Sequence, residues 1–91
     1  MSVNVKLPTL LRKLAGGESR VQATGETVEQ VLADLEARYP GLTRRVRADD
    51  GGLSRYVNVY VGEDDARLFG GLAAPVPEGG TVSIIPAVAG G

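Results

Sequence analysis

The sequence contains neither cysteine nor histidine. The usual thiol nucleophile and thiolate zinc ligand are therefore missing, and so are the commonest general base and metal ligand. The group whose chemistry stands out is the chain end, Gly90-Gly91. A main-chain carboxylate there can itself be a reacting group. Two glycines carry no Cβ, so another protein's active site can close tightly on the backbone. The stretch before them, Ala87-Val88-Ala89, is small and uncharged. Residues 87–91, fully extended, reach at most about 17 Å at ~3.3 Å each. That is enough to enter a deep cleft in a partner. Glycine makes up 13 of the 91 residues, so a terminal pair alone is weak evidence. It gains weight if the preceding residues form a compact body whose last strand leads into the tail.

Thr81-Val82-Ser83-Ile84-Ile85 is rich in β-branched residues and reads as that strand. Val82 and Ile84 point inward, Ser83 and Ile85 outward. Pro86 is expected to end the pairing, because proline has no N–H to give to a ladder. At the other end of the chain, Val3-Asn4-Val5-Lys6-Leu7 alternates with period two and predicts a strand. Pro8 stops it, and Thr9 to Leu14 predicts a helical turn with Leu10, Leu11 and Leu14 on one side. After the loop Ala15-Gly16-Gly17, residues 19–24 alternate again, with Val21 and Ala23 inward, and close a hairpin.

Thr27 to Tyr39 predicts the main helix. Thr27 and Gln30 have the spacing of a capping box. Val28, Val31, Leu32, Leu35 and Tyr39 form one apolar stripe, and Pro40-Gly41 ends it. Leu42 to Ser54 reads as irregular and polar. Arg55 to Val61 predicts a strand with Val57, Val59 and Val61 on one face and Tyr56, Asn58 and Tyr60 on the other. Gly62 to Asp65 turns the chain into a short strand over residues 66–69. Gly70 to Ala74 is a compact turn. Val76-Pro77-Glu78-Gly79 fits a type I turn, with proline at its second position and glycine at its fourth.

The order β-β-α-β-β-β, with a single striped helix, requires the helix to pack across one face of a mixed sheet. The first and last strands are apolar enough to be central, parallel neighbours. The expected class is α+β, a β-grasp or ubiquitin-like fold of about five strands. Residues 1–86 form the domain, and residues 87–91 a flexible Gly-Gly tail.

Composition supports one globular domain. Hydrophobic residues make up 43%, and a chain this size buries roughly 60–65% of its unfolded surface. Ten Lys+Arg against eleven Asp+Glu give a net charge of -1, with no strong pull toward nucleic acid or membrane. No apolar run approaches the ~20 residues of a membrane span. Asn4 and Lys6 interrupt any signal-peptide core, so a cytoplasmic protein is expected.

Other constellations have plain explanations. Arg38, Arg44, Arg45 and Arg47 read as a solvated basic loop before they read as a docking patch. Glu63, Asp64 and Asp65 read as a hairpin turn before a metal site, since no further ligands are evident. Gly16-Gly17 and Gly51-Gly52 are turns, not phosphate loops. Tyr56, Tyr60 and Ile85 fall on the sheet face away from the helix, where exposed apolar groups suggest a docking surface for a partner.

Several of these stretches together resemble a known family. They are the hairpin, the helix after Gly25-Glu26-Thr27, and Val57-Asn58-Val59-Tyr60-Val61-Gly62 with its acidic turn. The last is Pro77-Glu78-Gly79-Gly80-Thr81-Val82-Ser83-Ile84-Ile85-Pro86 running to Gly90-Gly91. The resemblance is to the ubiquitin-like prokaryotic sulfur-carrier proteins, the MoaD/ThiS family, which includes the molybdopterin-synthase small subunit and the thiamine sulfur carrier. Gly70-Gly71-Leu72-Ala73 followed by Pro86-Ala87-Val88-Ala89-Gly90-Gly91 looks most like the cysteine-biosynthesis branch. The resemblance covers nearly the whole chain. Many relatives carry an acidic residue where this chain has Gly80, a departure that bears on local turn chemistry.

The resemblance implies a protein cosubstrate with no catalytic residue and no bound cofactor or metal. An E1-like adenylating enzyme of the MoeB/ThiF type would use ATP to turn the Gly91 carboxylate into an acyl adenylate. A sulfur donor would displace AMP and leave a thiocarboxylate. In the cysteine branch, a pyridoxal-phosphate-dependent sulfhydrylase acting on O-phosphoserine would take the sulfur. Pro86, Ala87, Val88, Ala89 and Gly90 would be the stretch the partners grip. The alternatives are sulfur delivery to molybdopterin, thiamine or a sulfur-containing natural product, and isopeptide attachment as a ubiquitin-like modifier. The missing cysteine fits sulfur carried on a main-chain carbon, and the missing histidine fits catalysis by the partners.

Overall fold

The computed structural model describes residues 2–42, 44, 46–48, 52–54 and 57–86. β1 (Ser2–Lys6) and β2 (Arg20–Thr24) pair antiparallel, with Val3 opposite Ala23 and Val5 opposite Val21. Between them lie α1 (Thr9–Arg12) and a 3-10 turn, Lys13–Ala15. α2 (Val28–Arg38) is the main helix. β3 (Val57–Val61) turns through Gly62-Glu63 into the two-residue β4 (Asp64–Asp65). β5 (Thr81–Pro86) completes a sheet of order β2-β1-β5-β3-β4. β5 is central, parallel to β1 and antiparallel to β3. This is the expected β-grasp.

Alternation decides the faces. Val3, Val5, Val59, Val82 and Ile84 are at most 2% exposed and meet α2's buried stripe of Val28, Val31, Leu32 and Leu35 in one core. The Thr27 hydroxyl accepts from the Gln30 N–H at 3.2 Å, and the Gln30 side-chain oxygen accepts from the Glu26 N–H at 2.8 Å. The capping box therefore reaches one residue upstream of the cap. Thr27→Ala is expected to cost about 1 kcal/mol and to lower Tm by roughly 4–8 °C, read from a thermal melt followed by circular dichroism.

The structure corrects several sequence expectations. Leu10 does not join Leu11 and Leu14: Leu11 is buried and Leu14 half-buried, but Leu10 is exposed. The cause is the change from α to 3-10 at Lys13. A period of three aligns positions 11 and 14 and leaves position 10 a third of a turn away. Residues 66–69 are a 3-10 turn, not a strand. Asp65 caps that turn by accepting from the Arg67 N–H at 2.9 Å, so this donor is diverted from any ladder and β4 stops after two residues. The last turn closes from the Pro77 carbonyl to the Gly80 N–H at 2.9 Å, with Gly79 at φ 76°. It is thus one residue later than expected and has the positive φ of a type II turn at its third position.

Pro86 is the last residue of β5, opposite Val57, as expected of a proline that closes a strand. Proline loses only a donor, and a strand's final position tolerates that. Segment 42–54 is less polar than expected, because Leu42 and Val46 are fully buried. Ala48 and Gly52, and Val46 and Ser54, are joined by backbone hydrogen bonds of 2.8 and 2.7 Å around an Arg47–Leu53 bridge. Arg55 and Tyr56, expected at the start of β3, lie outside the described residues.

Candidate functional site

The central strand β5 is the last described element before the Gly-Gly end. Ile84 anchors β5 in the core at 2% exposure, and the next residue, Ile85, is 46% exposed on the opposite face. Ile85 stands opposite Asn58, and Tyr60 stands opposite Ser83. Tyr60 and Ile85 are therefore diagonal neighbours on the open face, within reach of each other's long side chains. Tyr60 and Pro86 are both half-buried. Tyr60 and Ile85 thus share the open face, and Pro86 follows Ile85 in the strand. Tyr56, Ala87, Val88, Ala89, Gly90 and Gly91 lie outside the described residues.

Beside the end of β5 runs a groove of about 530 Å³, between it and the β1–α1 connection. Pro8 and Leu10 line one wall, and Ile85 and Pro86 the other. Lys6 and Arg12 add positive charge to the rim, and Arg12 is held by its Nε donating to the Leu7 carbonyl at 3.1 Å. Leu10, 68% exposed, extends the apolar surface that Ile85 begins. The sequence reading missed Pro8 and Leu10 as surface residues. Spacing carried no signal for Leu10, because the change from α to 3-10 at Lys13 decides which leucines turn inward.

Two of the described arginines of the basic cluster are held in ion pairs. Arg38 pairs with Asp34 at 2.7 Å and Arg47 with Glu29 at 3.4 Å, while Arg44 is exposed. Arg45 lies outside the described residues. Glu63 and Asp64 are exposed at the β3–β4 hairpin. No group of three His, Cys, Asp or Glu among the described residues could hold a metal ion, and no helix among them is long and apolar enough to cross a membrane. Among the described residues, Pro8, Leu10, Ile85 and Pro86 bring apolar surface together beside the end of β5.

Comparison with known proteins agrees in fold and extent. The sequence model of the ThiS family matches residues 5–91. The sulfur carrier protein CysO of Mycobacterium tuberculosis is 46% identical over the full length of both chains. Its crystal structure superposes with a TM-score of 0.91, covering 94% of this chain and 99% of that one. The crystal structure of the Amycolatopsis orientalis BexX/CysO complex contains a chain 46% identical, with a TM-score of 0.91 over 98% of this chain and 99% of that one. Small archaeal modifier protein 3 of Haloferax volcanii is 32% identical over the full length of both. A full-length β-grasp body, matched by the family model as far as the Gly-Gly end, makes this chain a member of the ThiS family.

Proposed function

We propose that this protein is a cytoplasmic sulfur carrier that works as a cosubstrate rather than as an enzyme. The observation that carries the reading is the full-length 46% identity to a sulfur carrier. An E1-like enzyme joins the Gly91 carboxylate to the α-phosphate of ATP and releases pyrophosphate. The carboxylate is a poor electrophile, and the acyl adenylate gives it a good leaving group. Sulfur at the sulfide level, as hydrosulfide, then attacks the carbonyl carbon, AMP leaves with the electrons of the C–O bond, and loss of a proton leaves a thiocarboxylate. Its sulfur is nucleophilic without any thiol side chain. The acceptor we favour is a pyridoxal-phosphate enzyme that builds cysteine from O-phosphoserine.

Partner docking is assigned to the surface around Ile85, Pro86, Tyr56 and Tyr60, widened by Pro8 and Leu10. A CysO relative forms a complex with BexX, which supports recognition of such carriers by a separate protein. A second reading, isopeptide attachment to lysines, is favoured by the likeness to a small archaeal modifier protein. The test is the intact mass of the protein isolated from its own cells. Replacing one oxygen by sulfur adds about 16 Da, and this species is expected to disappear when the activating enzyme is deleted. A single unmodified mass under sulfur-replete growth, with Gly91 found instead on lysines, would favour the modifier.

A further inference from the structure

Edge strands expose unpaired N–H and C=O groups that invite another strand. β2 is an edge of this sheet. Yet the Gln22 carbonyl accepts from Arg38 Nη1 at 2.8 Å, and the Thr24 N–H donates to the Asp34 carboxylate at 3.0 Å. The two side chains are themselves joined at 2.7 Å, one turn apart on α2. In a parallel ladder, a single residue of the neighbouring strand makes the same two bonds. Its N–H donates to the carbonyl before the residue it faces, and its carbonyl accepts from the N–H after it. Gln22 and Thr24 flank Ala23 and carry those two groups.

We propose that the Asp34–Arg38 ion pair stands in for a sixth strand and closes the β2 edge against strand addition by a second copy of this chain. An ion pair this exposed contributes little stability by itself. Its placement on two backbone groups of the edge is what matters. A second copy is the natural intruder, because two β2 edges meeting antiparallel about a twofold axis present the same groups to each other. The far edge is treated alike. Where β4 ends, Arg67 donates to the Val57 carbonyl at 3.0 Å and to Asn58 Oδ1 at 3.1 Å. A guanidinium thus covers a strand carbonyl at each side of the sheet.

The test is Asp34→Ala with Arg38→Ala, which removes one charge of each sign and leaves net charge unchanged. Size-exclusion chromatography with light scattering is run over a wide concentration range, and hydrogen exchange is followed at the Thr24 amide in dilute solution. The wild type is expected to stay monomeric. The double variant is expected to dimerise with concentration, and its Thr24 amide to exchange about tenfold faster or more. Adding Gln22→Pro removes an outward-facing donor from the edge and should restore the monomer. Arg38→Gln alone, which frees only the Gln22 carbonyl, is held to the same outcomes in case the double variant fails to fold. A double variant that stays monomeric at every concentration overturns the proposal. So does a dimer that survives Gln22→Pro, or a wild-type dimer through this edge.

Discussion

Deleting Gly91 is expected to lower adenylation by the activating enzyme by at least about 100-fold while leaving thermal unfolding almost unmoved. The activating enzyme has to set one carboxylate oxygen in line with the α-phosphate of ATP, and a displacement of about 1 Å can cost ~100-fold in rate. One residue moves the carboxylate by about 3.3 Å. Adding a residue after Gly91 displaces it as far in the other direction, and the same loss is expected. Gly90→Val should also impair the step, because a branched side chain crowds a cleft fitted to bare backbone. The core positions Val5, Leu32, Val59 and Ile84, all buried within the body, are untouched by these changes, so the melt is expected to move little. ATP–pyrophosphate exchange measured beside the melt of each variant separates the two effects. Undiminished exchange with the deletion variant would mean that Gly91 is not the acyl donor.

The parts of this molecule that sequence revealed are those with short-range signals. Val57-Asn58-Val59-Tyr60-Val61 and Thr81 to Ile85 announce their faces by alternation, and those faces are the observed ones. Thr27 and Gln30 announce the helix start three residues apart. With the apolar alternation of the first strand, the central parallel pair of first and last strands and the exposure of Ile85 follow. Elements fixed by isolated residues or distant partners were not legible. Leu42 and Val46 are single apolar residues among charges, with no period to mark them as core. Residues 66–69 follow a turn as a short strand would, and the Asp65 side chain on the Arg67 N–H shows why they are not one. Leu10 reached the surface through a change of helix type that spacing does not disclose. The bonds that close the β2 edge join residues 10 and 16 positions apart, beyond any local pattern.

The second large effect is expected at Gly25, in the connection from β2 to α2. A Cβ added there would lie 2.7 Å from the Val31 backbone nitrogen and 2.9 Å from the Gln30 carbonyl carbon. Those atoms belong to the first turns of α2 and cannot swing aside as a side-chain tip can. The connection cannot retreat either. Thr24 is held by Asp34, and the Glu26 N–H by Gln30. The Glu26 carbonyl accepts from the Val76 N–H at 2.9 Å, and the Val28 N–H donates to the Ala74 carbonyl at 3.0 Å. Relief therefore requires α2 to shift, and its residues Val28 and Val31 are fully buried. Gly25→Ala is expected to cost about 3 kcal/mol, the upper end of overpacking penalties, and to lower Tm by roughly 12–24 °C. Gly16→Ala is the control. Like Gly25 at φ 156°, Gly16 has a positive φ, 69°, but no atom lies within 4 Å of its added Cβ, so only backbone strain of about 1 kcal/mol is expected. The difference between the two melts isolates the close approach of chain and helix. Equal melting of the two variants would mean that the helix start yields freely and that this contact constrains nothing.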